Sequence, residues 1–173
     1  MSASEIERTL VRLAHEIVEK NGGVERLALI GIKRRGVPLA QRLGKLISNI
    51  EKTAVPVGLL DITLYRDDLS TVGSKPVVQK GELGCDVVDM NVILCDDVLY
   101  TGRTVRAAMN GLFDLGRPRR IRLCVLIDRG HREMPIEASF VGRVVQTSDT
   151  EIIEVRLREI DKEDRVVLVD RTG

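Results

Sequence analysis

Val-Ile-Leu-Cys-Asp-Asp-Val-Leu-Tyr-Thr-Gly-Arg-Thr, residues 92–104, is the stretch whose reading decides the fold. Four apolar residues run into Asp96 and Asp97, as in a buried strand that reaches the carboxyl edge of a parallel sheet. Acidic side chains do not belong in the apolar layer of such a sheet, so the strand is expected to end at this pair. A turn rich in hydroxyls follows through Tyr100, Thr101, Gly102, Arg103 and Thr104. After it Val105, Ala108, Met109 and Leu112 recur at helical spacing. Strand, turn and helix start together form an anion cup. Amides at the helix start point at the ligand, Gly102 lets the main chain come close, and Thr101 and Thr104 add hydroxyls, which suits a phosphate monoester. The two carboxylates can accept from vicinal sugar hydroxyls or hold hydrated Mg²⁺.

A second turn of the same kind lies upstream. Residues 27–32 read as a buried strand that empties into Gly31-Ile32-Lys33-Arg34-Arg35-Gly36, and Pro38 is expected to open a helix with Ala40, Leu43, Ile47 and Ile50 inward. Gly31 and Gly36 permit a tight turn whose amides point one way, while Lys33, Arg34 and Arg35 supply positive charge that suits a diphosphate. Two such turns on two strand ends place a pair of facing anion sites at the edge of an α/β sheet. Neither turn has the glycine spacing of a P-loop or of a dinucleotide-binding loop.

The rest of the chain reads outward from these turns. Ser4 and Glu7 have the spacing of a capping box, and Ile6, Leu10, Leu13 and Ile17 form the apolar stripe of a helix stopped at Asn21-Gly22-Gly23. Its other face carries Arg8, Arg12, His15 and Lys20. Residues 55–65 are a strand candidate. The polar stretch at about 66–89 reads as a mobile hairpin or flap with too few apolar residues to bury itself. The helix after the acidic pair should end at Gly116, with Pro118 beyond it. Residues 119–128 form another strand, ending in the polar cluster Asp128-Arg129-Gly130-His131-Arg132, and residues 139–145, 152–157 and 165–169 look like short strands.

The bulk numbers narrow the classes. A chain of 173 residues with 43% hydrophobic content suits one domain with a real core. Lys+Arg 27 against Asp+Glu 26 means that any nucleic-acid contact must come from a local patch. Aromatic residues at 2% argue against recognition by base stacking. Cys85, Cys95 and Cys124 lack Cys-x-x-Cys spacing, and an odd count suits the cytosol. His131 has no partner at metal-ligand spacing, and no run approaches membrane length.

The acidic pair followed by Thr-Gly-x-Thr resembles the phosphoribosyl diphosphate (PRPP) motif of the type I phosphoribosyltransferases. The likeness extends over Gly31 to Gly36, residues 61–69, Asp96 to Thr104 and residues 128–133. Over nearly the whole chain it resembles the bacterial pyrimidine operon attenuation regulators that are also uracil phosphoribosyltransferases. That resemblance implies an α/β fold with a mainly parallel central sheet, helices on both faces, a small hood and a flexible flap. It implies two activities: conversion of uracil and PRPP to UMP and diphosphate, and UMP-dependent binding of the leader RNA of pyrimidine genes. It places the 5′-phosphate loop on Tyr100, Thr101, Gly102, Arg103 and Thr104, with Val98 and Leu99 leading into it. The ribose contacts fall on Asp96 and Asp97, the diphosphate loop on Lys33, Arg34, Arg35 and Gly36, and the active-site flap on Arg66 and its neighbours. Mg²⁺ is expected on diphosphate, ribose hydroxyls and waters near Asp96 and Asp97, with no direct protein ligand. Arg129 is the candidate beside the nucleobase.

Phosphoribosyltransferases acting on 6-oxopurines resemble the same motif but usually carry an acid where Tyr100 stands. A tyrosine is a far weaker base, which favours uracil. For RNA the resemblance implicates Arg12, His15, Lys20, Arg132 and Arg143 on a concave face of a homo-oligomer. Val11 and Asp149 depart from the family's pattern there, and an acid repels phosphate. Two other readings stay open: a salvage phosphoribosyltransferase without RNA regulation, and a nucleotide-sensing RNA binder whose catalysis is vestigial.

Overall fold

The computed structural model describes residues 1–65 and 83–171. Seven strands and four helices run in the order α1 (Ala3–Asn21), β1 (Leu27–Ile32), α2 (Gly36–Glu51), β2 (Val57–Leu60), β3 (Asn91–Leu99), α3 (Arg103–Leu115), β4 (Arg120–Asp128), β5 (Phe140–Val144), β6 (Glu151–Arg156), α4 (Arg158–Asp161) and β7 (Arg165–Asp170). The first five strands form one sheet in the order β2-β1-β3-β4-β5, each parallel to its neighbours. β6 and β7 pair antiparallel and, with α4, form the hood. The chain order reverses between β1 and β3, and in open α/β sheets the crevice at that switch point is where ligands bind.

Alternation along the buried strands explains the two apolar layers. Leu27 and Leu29 of β1, with Ile93 and Cys95 of β3, face the layer filled by Ile6, Leu10, Leu13 and Ile17 of α1 and Leu39, Leu43 and Ile47 of α2. Ile30 and Ile32, with Val92 and Leu94, face the layer filled by Val105, Ala108 and Leu112 of α3. Helices therefore cover both faces, and all six residues of β1 are buried.

Several expectations need correction. β3 does not stop at the acids: it runs to Leu99, because its ladder with β4 continues to Leu99↔Asp128. The capping box is formed by Ser2 and Glu5 rather than by Ser4 and Glu7, since α1 already begins at Ala3. α2 opens at Gly36, and Pro38 sits inside its first turn, where a missing N–H costs nothing. The strand at 55–65 shortens to Val57–Leu60, whose ladder with β1 ends at Ile32↔Leu60. Thr63–Tyr65 form a 3₁₀ turn instead. Of the stretch read as a flap, residues 66–82, with Arg66, lie outside the described residues. Residues 83–89 do bury apolar groups: Leu83 and Val87 belong to the core beside α3, and the Leu83 carbonyl accepts from Leu59 N–H.

Candidate active site

The turn after β1 and the acidic pair of β3 meet because glycines let them. Gly31 packs against the Gly36 carbonyl and Val37 Cα, where an added Cβ would come within 2.5 Å of backbone atoms. Gly36 in turn lies against the Cys95 carbonyl, leaving no room for a side chain. The peptide bond between Lys33 and Arg34 is cis, and Lys33 N–H donates to the Leu60 carbonyl at 2.9 Å. The turn is thus seated between β1, β2 and β3.

A cavity of about 290 Å³ opens at this point. Lys33, Arg34 and Arg35 line one side, Asp96, Asp97 and Val98 the floor, and Thr104 at the start of α3 the far end. Ile62 and Thr63, between β2 and the 3₁₀ turn, close it as well. Those two belonged to the resembling stretch at 61–69 but carried no expected role. Their proximity follows from β2 lying beside β1, which no local pattern reveals. Lys33 Nζ lies 3.8 Å from Asp61, whose carboxyl sits below its ordinary range because the Thr63 hydroxyl and amide bond to it. Among the described residues, a hollow of about 590 Å³ around Leu83, Val87 and Leu115 has no basic residue in its lining.

The acidic pair is strained electrostatically rather than sterically. Asp96 is only 7% exposed, and burial followed by the neighbouring charge of Asp97 pushes its carboxyl well above the usual range. Its Oδ1 accepts from Asp97 N–H at 2.9 Å, and Asp97 Oδ1 accepts from Val98 N–H at 2.9 Å. The remaining oxygens suit hydroxyl donors or a cation, either of which favours ionisation. Among the described residues no three His, Cys, Asp or Glu side chains converge on one point. The oxygens of Asp96 and Asp97 are hard donors of the kind that suit a hydrated divalent cation.

The turn between β3 and α3 is built as a bare helix start. Gly102 is the N-cap of α3 at φ +93 and offers no side-chain cap, while Arg103 N–H turns back to Thr101 Oγ1 at 3.2 Å. Tyr100 is exposed, and the Arg129 guanidinium lies 3.9 Å over its ring, with His131 edge-on at 5.7 Å. Arg129 is 6% exposed and donates to Thr147 Oγ1 at 3.1 Å and to the Glu151 carbonyl at 2.9 Å. It thereby holds the β5–β6 connection against Tyr100.

Some residues are engaged in ways the sequence does not show. Arg35 is clamped by Asp161 of α4, at 2.8 Å from Nη2 and 3.3 Å from Nε, across 126 residues of chain. Hydrogen bonding to Asp161, opposed by burial, holds the Arg35 guanidinium above its ordinary value. Arg12 bonds Glu16 at 2.8 Å and the Gly142 carbonyl at 2.5 Å, Arg143 lies 3.9 Å from Glu5, and Lys20 stands 5.4 Å over the Phe140 ring. His15 is exposed on the same helix. Arg132 points inward, to the Tyr100 and Ile136 carbonyls and Asp128. Asp149 faces His131 Nδ1 at 3.3 Å.

Comparison with known proteins agrees with this layout. The family model described as a phosphoribosyl transferase domain matches residues 2–160. The chain is 56% identical over 173 residues to the protein named "Bifunctional protein PyrR" in Thermus thermophilus, covering 100% of this chain and 96% of that one. It is 58% identical over 169 residues to the protein of the same name in Chloroflexus aurantiacus, covering 98% and 93%. In fold it is similar to a Staphylococcus aureus hypoxanthine phosphoribosyltransferase, at TM-score 0.68 and 20% identity over 93% of this chain and 84% of that one. A Trypanosoma cruzi hypoxanthine phosphoribosyl transferase gives TM-score 0.71 at 17% identity, over 98% and 88%. At such identities these two likenesses concern the fold alone. Among the described residues no helix is long and apolar enough to cross a membrane.

Proposed function

We propose, since the chain belongs to the phosphoribosyl transferase domain family and within it to the bifunctional PyrR proteins, that it is a cytosolic uracil phosphoribosyltransferase that also binds pyrimidine-gene leader RNA when UMP is bound. One observation carries the enzymatic half: a single cavity at the switch point of the sheet joins Lys33, Arg34 and Arg35 to Asp96, Asp97 and Thr104. Positive charge for a leaving diphosphate, acceptors for ribose hydroxyls and a helix start for a phosphate are then adjacent, in the order in which PRPP presents those groups.

In this reading N1 of uracil gives up its proton to water and forms a bond to C1′ of the ribose as the C1′–O bond to diphosphate breaks. The departing oxygens take the electron pair. Asp96 and Asp97 hold the ribose hydroxyls, and the amides and hydroxyls of residues 101–104 hold the 5′-phosphate, which fixes C1′ in line with the base. Lys33, Arg34 and Arg35 stabilise the negative charge that develops on diphosphate. Mg²⁺ on the diphosphate and ribose oxygens would add to that stabilisation when bound. Arg66 of the adjoining segment and Arg129 beside Tyr100 are assigned to the leaving-group side and the base side. No protein nucleophile is required. Supplying PRPP with each nucleobase in turn and following diphosphate release tests the assignment. Uracil should be turned over to UMP, and robust hypoxanthine turnover without uracil turnover would refute it.

For RNA, Arg12, His15 and Lys20 of α1 and Arg143 of β5 form the basic face, and the family's oligomer would extend it. The face is mixed, because Glu16 lies beside Arg12 and Glu5 beside Arg143. That favours a second reading, uracil salvage without RNA regulation, and filter binding with and without UMP separates the two. On the first reading the double change Arg12→Ala, His15→Ala lowers RNA affinity about tenfold and flattens its salt dependence by roughly one to two ion equivalents. Full affinity in that variant would move the RNA site elsewhere.

A further inference from the structure

The segment after β4 is fastened behind the phosphate-side turn, and its bonds go to carbonyls. Arg132 Nη1 donates to the Tyr100 carbonyl at 3.0 Å, while Glu133 N–H and Met134 N–H both donate to the Thr101 carbonyl, at 2.9 and 3.2 Å. Arg103 Nε ties Glu133 from the helix side at 2.8 Å. A trans peptide is planar, with its C=O and N–H pointing opposite ways. Drawing the Tyr100 and Thr101 carbonyls to one side therefore turns Thr101 N–H and Gly102 N–H to the other.

We propose that Arg132 is a positioning residue for the phosphate-binding turn, aiming the Thr101 amide through the Tyr100 carbonyl, and is not a contact for RNA. Its guanidinium is already committed. Nε donates to the Ile136 carbonyl at 2.8 Å and Nη2 to Asp128 Oδ2 at 2.6 Å, and the two side chains of that pair are 22% and 17% exposed. Burial pushes the Asp128 carboxyl up, but the Arg132 guanidinium and the Gly130 amide pull it down by more, so it stays ionised at neutral pH and keeps the arginine in place. An arginine turned outward to an RNA phosphate would have to abandon all three bonds and leave Asp128 half-buried without its cation.

The inference rests on the reading of residues 100–104 as the 5′-phosphate site, and the test separates the two. The phosphate lies away from C1′ and is held equally in ground and transition states, so a misaimed amide weakens binding of UMP and PRPP more than it slows chemistry. UMP binding is measured by calorimetry without RNA, and KM for PRPP and kcat are measured with uracil. For Arg132→Gln, the UMP Kd and the KM for PRPP are expected to rise about tenfold, with kcat changed less than about threefold. Asp128→Asn, which removes the charge that holds the guanidinium, should shift the same two quantities in the same direction. Arg132→Lys, which keeps the charge opposite Asp128 but loses the fork, should lie between. These two variants also serve if Arg132→Gln melts. Wild-type affinity for UMP and PRPP in the folded variants, together with lost RNA binding, would overturn the proposal and return Arg132 to the RNA face. Wild-type protein that binds neither UMP nor PRPP would overturn the phosphate-site reading, and the proposal with it.

Discussion

Replacing Asp97 by Asn should lower kcat/KM for UMP formation by roughly 100-fold while leaving the fold intact. The carboxylate accepts the Val98 amide on Oδ1, and an asparagine oxygen can keep that bond. What is lost lies toward the sugar, where one acceptor oxygen becomes an amide donor. Hydrogen bonds from ribose hydroxyls to a charged oxygen are worth about 1.5–3 kcal/mol each, and about 1.4 kcal/mol corresponds to a decade of rate. The same change removes the charge of Asp97, which after burial is the largest cause that raises the Asp96 carboxyl. Burial of Asp96 remains, but the neighbouring charge goes, so the ionisation of Asp96 moves down toward the ordinary carboxylate range. A variant with near-wild-type kcat/KM would show that the ribose is held elsewhere, and an unchanged Asp96 titration would show that burial alone sets it.

Gly36→Ala should be strongly damaging. Its Cβ would collide with the Cys95 carbonyl oxygen and come within 3.1 Å of the Cys95 carbonyl carbon and 3.3 Å of Asp96 Cα. All three atoms are backbone of the central strand, held by ladders on both sides, so no side chain can swing aside to relieve the clash. Overpacking of this kind costs roughly 3 kcal/mol, and for a chain of this size that lowers Tm by about 6–12 °C. The relief available is to lift the Lys33–Gly36 turn off β3, which moves the diphosphate site away from the ribose site. Loss of PRPP affinity should therefore accompany the loss of stability. A Tm within about 2 °C of wild type, with PRPP binding intact, would mean that the turn has slack that the packing does not show.

The parts of this architecture that were legible in the sequence are those written in local periodicity. β1 runs over Leu27–Ile32 as its apolar run predicts, α1 buries the stripe Ile6, Leu10, Leu13 and Ile17, and the two glycine-bearing turns sit at strand ends. The failures share a cause, which is information held in another part of the chain. β3 carries its acids three residues short of its end because β4 goes on pairing with it. Ser2-Glu5 and Ser4-Glu7 satisfy the same capping pattern. The choice between them is made by where the helix begins, with Met1 bonded across to Val166 of β7. The partners that fix Arg35, Arg103 and Arg132 lie on other elements or on adjoining loops, and no spacing rule connects them.

The clamp between Arg35 and Asp161 bears on modularity. The hood is a small antiparallel unit at the far end of the chain, the kind of appendage that protein engineers treat as exchangeable. Here it supplies the anchor for the Lys33–Gly36 turn, encoded near the opposite end. A transplanted hood must bring its own carboxylate to that point, because one ion pair ties this unit to the turn after β1.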